Sequence, residues 1–499
     1  MPEMNFRDSV DLASERVGGS VLYATDDFFA EKENLLKPDK PVWKEHEYTD
    51  RGKWMDGWES RRKRTPGHDF AVVRLGMRGV IRGVVVDTSF FRGNFPDQCF
   101  IEACDVSPET SLDELEGATW REVLPLSKLN GDSENLFEIS DPHAWTHLRF
   151  HILPDGGVAR LRVHGQPVAD WKRSGGLRSE LDLAAVEHGA DVLACSDMFF
   201  GPKHNLIMPG RALNMGDGWE TKRRRGPGHD WVIVRLATEG TIRRIEIDTN
   251  HFKGNYPDSC SIEASVLAAD ADVVRADWFE ILPRTKLQAH SRHMFVDELA
   301  ADEGPVTHLR LNVFPDGGVS RLRVHGVATD QGLRGEVIRR INTLADAEGE
   351  LKAAGGSMSW VRGMISARPL RNWDHLVETA EKIWNTLSRE DWLEAFRSHP
   401  RIGEVRSEHQ NAAANRWSGR EQEGTTSAAR DIRAELSEGN RQYEQRFGHL
   451  FIVCATGKSG AEILGILGQR MNNSAADEIR QAKEEQKKIT LLRLERLVS

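Results

Sequence analysis

The chain contains the same charged segment twice. Residues 54–103 and 215–264 align without a gap, and more than half of the aligned positions carry the same residue. The shared positions run in one order: Asp-Gly-Trp-Glu, a basic run, Pro-Gly-His-Asp, an apolar strand, Asp-Thr and Gly-Asn-aromatic-Pro-Asp. Core packing tolerates exchanges among apolar residues, so packing alone would not keep charged residues alike in both segments. The repeat predicts two homologous domains whose common loop has a chemical task.

The similarity extends beyond this segment in both directions. Phe28-Phe29 matches Phe199-Phe200 upstream, and Thr146 to Gly165 matches Thr307 to Gly326 downstream. The first copy carries about ten additional residues between Pro38 and Asp56, which we interpret as a surface loop. We therefore expect repeat one at residues 8–170 and repeat two at 178–330, each of ordinary domain size.

Each repeat shows the periodicity of β-strands. Ile245 alternates with Glu246, and Cys260 and Ile262 alternate with polar neighbours, so one face of each strand is expected to be buried. The same phase makes Cys99 and Cys260 core residues rather than nucleophiles. Pro-Asp-Gly-Gly segments mark turns. Short strands separated by turns predict an antiparallel β-sandwich in each repeat.

A third domain, all-α, is predicted at residues 334–499. Glycine becomes sparse there, and Leu376, Ala380, Ile383 and Leu387 recur at helical spacing. Ser388 to Asp391 predicts a capping box, and further helices are expected at about 426–446, 459–471 and 474–497. The charge run 483–488 is interpreted as a solvated helix face.

Composition narrows the class of protein. The net charge of −10 disfavours binding to a nucleic-acid backbone, and no apolar run is long enough for a membrane span. The five cysteines suggest no disulfide framework. We expect a cytoplasmic homo-oligomer that acts on small molecules, without nucleic-acid or membrane partners.

The repeated loop supplies the groups that hydrolysis of a small anion requires. Arginine forks bind carboxylates, and a histidine beside a carboxylate can act as a general acid or base. Two other interpretations stay open: a turn whose polar groups satisfy one another, and a metal site. Each repeat has three matched histidines, although none has the tight spacing of a metal motif; they are His68, His147 and His164 in repeat one and His229, His308 and His325 in repeat two. The His and Arg on strands near the end of each repeat indicate either a solvated sheet face or the wall of an anion site.

These paired motifs resemble the allantoicase family over about residues 8–330. The resemblance implies jelly-roll domains similar to galactose-binding domains, and hydrolysis of allantoate to ureidoglycolate and urea. From the chemistry of the loop, we expect His68, Asp69, His229 and Asp230 to be catalytic. Substrate binding is expected at Asp56, Glu59, Arg62, Arg64, Asp217, Glu220, Arg223 and Arg225. Which repeat is active stays open, a divalent metal is possible but not indicated, and a tandem lectin-like binding protein is the alternative.

The helical domain contains four distinctive segments: Phe396 to Gly403, Trp417 to Gln422, Tyr443 to Gly448 and Phe451 to Ala455. Together they resemble the 2-oxo-4-hydroxy-4-carboxy-5-ureidoimidazoline (OHCU) decarboxylases, which form (S)-allantoin. By its position before a proline, His399 is either an exposed imidazole at a helix end or a helix C-cap. The resemblance implies that His399 is the proton donor and that Glu421 is catalytic. It places the substrate against Pro400, Ser418, Gln422 and the segment Phe451, Ile452, Val453, Cys454 and Ala455. No cofactor is expected for this step. The predicted protein is a bifunctional enzyme of purine catabolism with ureide substrates; an active allantoicase with a degenerate decarboxylase domain is the narrower alternative.

Overall fold

The computed structural model describes residues 6–169, 171, 179–268, 271–300, 304–345, 347–399 and 430–497. The chain divides into two compact units, Met1–Leu333 with Thr343–Ala345 and Arg334–Asn342 with Asp346–Ser499. Among the described helices, none has both the length and the apolar character needed to cross a membrane.

Repeat one is built on an eight-stranded antiparallel sheet. The strands of this repeat are β1 (Val10–Asp11), β2 (Ser20–Ala24), β3 (Tyr48–Thr49), β4 (Gly52–Lys53), β5 (Trp58–Glu59), β6 (Asp69–Asp87), β7 (Gln98–Cys104), β8 (Arg121–Lys128), β9 (Glu134–Glu138), β10 (Ala144–Leu153), β11 (Gly157–Val158) and β12 (Arg160–Pro167), with helix α1 at Leu112–Glu116. Strands β3 and β4 form one separate two-stranded sheet, and β5 and β11 form another. The sheet order is β1-β12-β6-β10-β7-β8, and β2 and β9 also pair with β6.

Repeat two has the same topology. Its strands are β13 (Leu181–Asp182), β14 (Asp191–Cys195), β15 (Trp219–Glu220), β16 (Asp230–Asp248), β17 (Ser259–Ser265), β18 (Phe279–Lys286), β19 (Arg292–Phe295), β20 (Val306–Phe314), β21 (Gly318–Val319) and β22 (Arg321–Ala328). The order β13-β22-β16-β20-β17-β18, with β14 and β19 on β16, matches repeat one strand for strand. The predicted pair of homologous antiparallel domains is confirmed.

The long strands β6 and β16 organise the two repeats. The first half of β6 pairs with β10 and the second half with β12, so this one strand serves two groups of partners. Cys99 on β7 and Cys260 on β17 are fully buried, as their phase predicts. Burial raises the pKa of each thiol to about 12, which leaves both as inert core residues.

The Pro-Asp-Gly-Gly turns are fixed by close backbone contacts. Gly156 has φ of 135°, and a Cβ at this position would lie 2.7 Å from the backbone oxygen of Asn94. Gly317 meets Asn255 in the same way, also at 2.7 Å. Only glycine accepts this conformation without strain. The turn therefore seats the Gly-Asn-aromatic-Pro-Asp segment in both repeats.

The additional residues of repeat one form an ordered structure rather than a bare loop. Strands β3 and β4 pair as a short hairpin. Val42 N donates a hydrogen bond of 2.9 Å to Asp56 Oδ2, which ties the segment to the start of the charged loop. Lys53 Nζ lies 4.8 Å from the ring centre of Trp43. We refer to residues 39–53 as the inserted hairpin.

The rest of the described chain is helical. The helices are α2 (Asp330–Thr343), α3 (Glu348–Gly355), α4 (Met358–Ser366), α5 (Trp373–Thr386), α6 (Arg389–Arg397), α7 (Arg430–Phe447), α8 (Gly460–Arg470) and α9 (Ala475–Glu495). Ser388 and Asp391 form the predicted capping box of α6. The interpretation of residues 483–488 as a solvated face is wrong at Glu485 and Gln486, which are buried. These side chains lie on the inner face of α9, where they meet other elements of the unit.

Candidate functional sites

A cavity of about 400 Å³ lies beside Glu59 in repeat one. Three of its ten lining residues come from the inserted hairpin, and the rest come from the repeated segments. The lining residues are Phe29, Trp43, Gly52, Lys53, Met55, Glu59, Phe90, Arg92, Gly93 and Asn94. Aromatic and apolar walls with a few charged groups are typical of small-molecule sites.

Glu59 is the acid of this cavity. Asn94 Nδ2 donates a hydrogen bond of 2.6 Å to its Oε1. Burial raises the pKa of Glu59 above its usual value, and the hydrogen bond from Asn94 opposes this only in part. Because burial disfavours the charged form, Glu59 keeps its proton to higher pH than an exposed glutamate and is suited to proton donation.

Repeat two has the same glutamate–asparagine pair, but it lacks the inserted hairpin that covers the pair in repeat one. Asn255 Nδ2 donates to Glu220 Oε1 in the same way. The inserted hairpin has no counterpart in repeat two. Phe199 and Phe200 are accordingly 70% and 61% exposed, against 40% and 36% for Phe28 and Phe29. The two repeats thus differ at this point in what covers the acid rather than in the acid itself.

The first aspartate of each loop holds a buried arginine. Asp56 Oδ2 lies 2.8 Å from Arg160 Nη2, and Asp217 Oδ2 lies 3.2 Å from Arg321 Nη2. Burial would raise the pKa of Asp56, but the hydrogen bonds from Arg160 and the Val42 amide outweigh it and hold the pKa below its usual value. These carboxylates therefore act as anchors of the loop in the described structure.

The aspartates that follow the loop histidines also accept hydrogen bonds from neighbouring side chains. Asp69 Oδ1 accepts hydrogen bonds from Lys63 Nζ at 2.5 Å and from Thr25 Oγ1 at 2.7 Å. Asp230 accepts from Arg224 and, at 3.0 Å, from Ser196 Oγ. Both carboxylates are buried. These hydrogen bonds fix the start of strands β6 and β16. The catalytic role predicted for Asp69 and Asp230 stays a prediction.

The predicted substrate-binding arginines are on the surface. Arg62, Arg64, Arg223 and Arg225 are exposed. None of the four lines the cavity beside Glu59. Their role in holding the substrate carboxylate stays a prediction, whereas Arg92 and Lys53, which the motif comparison did not select, line the cavity.

Each loop histidine is bonded to a side chain on the neighbouring strand. His68 Nε2 lies 2.8 Å from His151 Nδ1 in repeat one. His229 Nε2 lies 3.3 Å from Asn312 Oδ1 in repeat two. Both loop histidines are half-buried. His151 and Asn312 were not predicted, because the prediction rested on positions that are identical in the two repeats.

The strand histidines do not lie on a solvated face. His147 and His308 are buried, and burial lowers the pKa of each to about 4, so both are neutral near pH 7. His164 Nδ1 lies 2.9 Å from the backbone oxygen of Ser9. Within the described parts of the chain, no group of three His, Cys, Asp or Glu side chains is arranged to hold a metal ion.

In the helical unit, His399 follows α6 and meets α9. Arg493 Nη2 lies 3.3 Å from His399 Nδ1, and Arg493 is itself buried. The expectation of an exposed imidazole is wrong, since Nε2 of His399 is buried. Burial, reinforced by the charge of Arg493, holds the pKa of His399 well below its usual value. Arg493 escaped the sequence analysis because a single arginine in a charged helix carries no distinguishing pattern.

The segment Phe451–Ala455 is held on both sides. Phe451, Val453 and Ala455 pack into one apolar cluster, and Ile452 and Cys454 into another. Glu485 Oε2 accepts a hydrogen bond of 2.8 Å from the Cys454 amide. The side chains are thus used for packing, which suits the predicted use of the backbone in binding. The predicted residues Pro400, Ser418, Glu421 and Gln422 lie outside the described residues.

The chain matches two protein families and named relatives. The family model of the allantoicase repeat matches residues 10–168 and 181–329, and that of OHCU decarboxylase matches residues 343–495. A probable allantoicase of Photobacterium profundum is 50% identical over 331 residues, which are 66% of this chain and 99% of that protein.

Two solved structures are similar to parts of the chain. The crystal structure of allantoicase from Saccharomyces cerevisiae shares 33% identity with a TM-score of 0.54, and the match covers 64% of this chain and 93% of that one. A crystal structure of OHCU decarboxylase in the presence of (S)-allantoin shares 35% identity with a TM-score of 0.26, covering 30% of this chain and 98% of that one. The family matches favour the enzyme over the lectin-like alternative. The chain belongs to the allantoicase family and carries, after its two repeats, a domain of the OHCU decarboxylase family.

Proposed function

We propose that the two-repeat unit hydrolyses allantoate to ureidoglycolate and urea, with the substrate bound in the cavity of repeat one. The desolvated carboxyl group of Glu59, in a cavity of about 400 Å³ that also contains cationic groups, carries this proposal. Allantoate has one carboxylate and two ureido groups on a central carbon. The cavity offers a cation for the first, and a proton donor and an amide for the others.

Arg92 is the group best placed to attract the carboxylate. Its Nε lies 3.0 Å from Asp132 Oδ2, and its side chain is 80% exposed, so its terminal nitrogens face solvent at the cavity wall. Lys53 Nζ donates to the backbone oxygen of Lys44 at 2.6 Å and adds positive charge to the hairpin wall. A guanidinium fork matches a carboxylate in two hydrogen bonds.

Glu59 then supplies the proton that departure of urea requires. The bond between the central carbon and one ureido nitrogen breaks, its electrons stay on that nitrogen, and the Glu59 proton neutralises it. The remaining acyliminium-like carbon adds the oxygen of water, whose proton returns to the Glu59 carboxylate. One water is consumed, and the acid is regenerated.

We further propose that the helical unit decarboxylates OHCU at His399. The hydrogen bond from Arg493 occupies Nδ1, so the neutral ring carries its proton on Nε2. Loss of CO₂ leaves a carbanion whose charge spreads onto the ring carbonyl. The Nε2 proton transfers to one face of that carbon, and water restores it while the Arg493 charge stabilises the ring.

Assays on the purified full chain test both activities. With allantoate we expect urea and ureidoglycolate in equal amounts, and with OHCU we expect CO₂ and allantoin. Urea release is measured before and after dialysis against a chelator, which tests the metal alternative separately. A full chain that binds allantoate without releasing urea would contradict the hydrolase proposal and favour a binding protein.

A further inference from the structure

The two repeats reach the same hydrogen-bond arrangement at the loop histidine through different residues. In both, an inward chain of hydrogen bonds starts at the histidine and ends on a glutamate that an arginine holds. The middle residue is His151 in repeat one and Asn312 in repeat two, which occupy matched positions. We call the arginine-bound glutamate the fixed end of the chain. Because it can only accept, it determines the direction of each hydrogen bond.

In repeat two the fixed end is Glu263. Arg310 Nε donates to its Oε2 at 2.6 Å, and Asn312 Nδ2 donates to the same oxygen at 2.8 Å. Burial would raise the pKa of Glu263, but these hydrogen bonds outweigh it and keep the carboxyl ionised. An ionised carboxylate only accepts, so the Asn312 amide group must turn its nitrogen inward. Its oxygen then faces His229 and accepts from Nε2–H.

In repeat one the fixed end is Glu102. Its Oε2 lies 3.1 Å from His151 Nε2 and 3.6 Å from Arg149 Nη1. The carboxylate beside the arginine accepts, so His151 donates from Nε2. Burial, with the charge of Arg149, lowers the pKa of His151 to about 3, which keeps that ring neutral. Its Nδ1 is therefore an acceptor, and it receives the hydrogen bond from His68 Nε2–H.

The neighbours of the two middle residues differ in a compensating way. Phe100 stacks on the imidazole of His151, with ring centres 4.0 Å apart and planes inclined by 5°. The matched Ser261 instead offers its Oγ to Asn312 Nδ2 at 3.3 Å. Stacking on a flat ring stabilises an imidazole, whereas an additional hydrogen-bond acceptor stabilises the amide nitrogen of an asparagine. Each repeat thus supports its own middle residue.

We infer that His151 and Asn312 are positioning residues that hold His68 and His229 in the same tautomer, with the proton on Nε2 and an unshared pair on Nδ1. Neither Nδ1 has a hydrogen-bond partner among the described residues, and both rings are half-buried. A neutral imidazole with a free Nδ1 pair can accept a proton, so His68 would receive the proton of the attacking water before it returns to Glu59. This inference rests on the proposed hydrolysis for its purpose, but the tautomer itself does not.

Nuclear magnetic resonance of the full chain with ¹⁵N-labelled histidine tests the tautomer directly. Long-range ¹H–¹⁵N correlations distinguish a protonated Nε2 from a protonated Nδ1, and the variants His68→Gln and His229→Gln assign the two signals. We expect both neutral rings to be protonated on Nε2. A proton on Nδ1 of either ring in the unchanged protein would overturn the inference, whether or not the protein releases urea.

Exchange variants test the positioning role. His151→Asn with Phe100→Ser places the residues of repeat two in repeat one, and should keep the tautomer and retain urea release within roughly twofold. His151→Leu removes the acceptor, so we expect mixed tautomers and a kcat lower by up to roughly 10²-fold with little change in KM, because the loss is confined to the general-base contribution. Equal loss in the exchange variant and in His151→Leu, with both proteins folded by circular dichroism, would show that His151 acts only in packing.

Discussion

Asn94 and Glu59 are joined by a hydrogen bond of 2.6 Å at the wall of a cavity in repeat one. Asn255 and Glu220 repeat the contact in repeat two. Each asparagine is seated by the glycine turn that packs against its backbone. The pair is therefore a product of the duplicated sequence, and the inserted hairpin makes the difference by covering it in repeat one. We place the hydrolytic site where the acid is both held and covered.

Removal of the hairpin's aromatic wall should weaken substrate binding. Trp43 is 48% exposed and lies 5.9 Å from Phe90 between ring centres, so Trp43→Ala should leave the sandwich folded. We expect KM for allantoate to rise about tenfold with a smaller change in kcat, because a cavity wall is lost while the acid stays. Phe199→Ala in repeat two is the matched control, and a larger effect there would contradict the assignment.

The pH dependence of kcat for hydrolysis should reveal the titration of Glu59. Glu59 donates only while protonated, so kcat should fall as pH rises through its raised pKa. The hydrogen bond from Asn94 favours the ionised form and lowers the pKa. Asn94→Ala should therefore move this basic limb to higher pH, while Asn255→Ala should leave it in place. A shift to lower pH in Asn94→Ala would exclude Glu59 as the titrating group.

Local patterns predicted much of the fold. Strand periodicity placed Cys99 and Cys260 in the core, and the side-chain spacing at Ser388 and Asp391 predicted a helix start, because both depend on neighbours in sequence. The cavity was not predicted, since its wall comes from a segment present in one repeat only. Arg493 was missed for a similar reason: it becomes distinctive only when folding brings it to His399.

Low pH should lower the free energy of unfolding of the two-repeat unit, because its buried histidines become protonated on unfolding. The folded pKa of His147 and of His308 is about 4, against 6.5 when exposed. The unfolded chain therefore takes up these protons first as pH falls. The contribution of each neutral ring to the free energy of unfolding is fully present above pH 6.5. It is lost as pH falls from about 6.5 to 4, by about 3 kcal/mol for His147.

Thermal unfolding from pH 7 to pH 4 measures this loss. His147→Gln removes the titrating group but also disturbs the core, so its Tm should be lower at pH 7 and should fall less steeply with acid than that of the unchanged protein. His308→Gln should behave alike in repeat two. Parallel Tm curves for the variants and the unchanged protein would show that these histidines do not govern the acid response.

The two activities should separate by mutation. His399→Ala removes the proposed proton donor of decarboxylation, so allantoin formation from OHCU should fall by about 10²-fold or more. Arg493→Met leaves a side chain of similar length without its charge and should also impair this step, because His399 loses its partner at Nδ1. Both variants should release urea from allantoate at the normal rate. A parallel loss of urea release in His399→Ala would contradict independent sites.

The assignment of hydrolysis to the covered acid is tested most directly by comparing urea release in Glu59→Gln and Glu220→Gln. Glutamine keeps the size and the hydrogen-bonding capacity of the side chain but cannot donate the acidic proton. We expect Glu59→Gln to lower kcat for allantoate by 10²- to 10⁴-fold, as general acid catalysis implies, and Glu220→Gln to retain most of the activity. Full activity in Glu59→Gln, or a greater loss in Glu220→Gln, would contradict a site in repeat one.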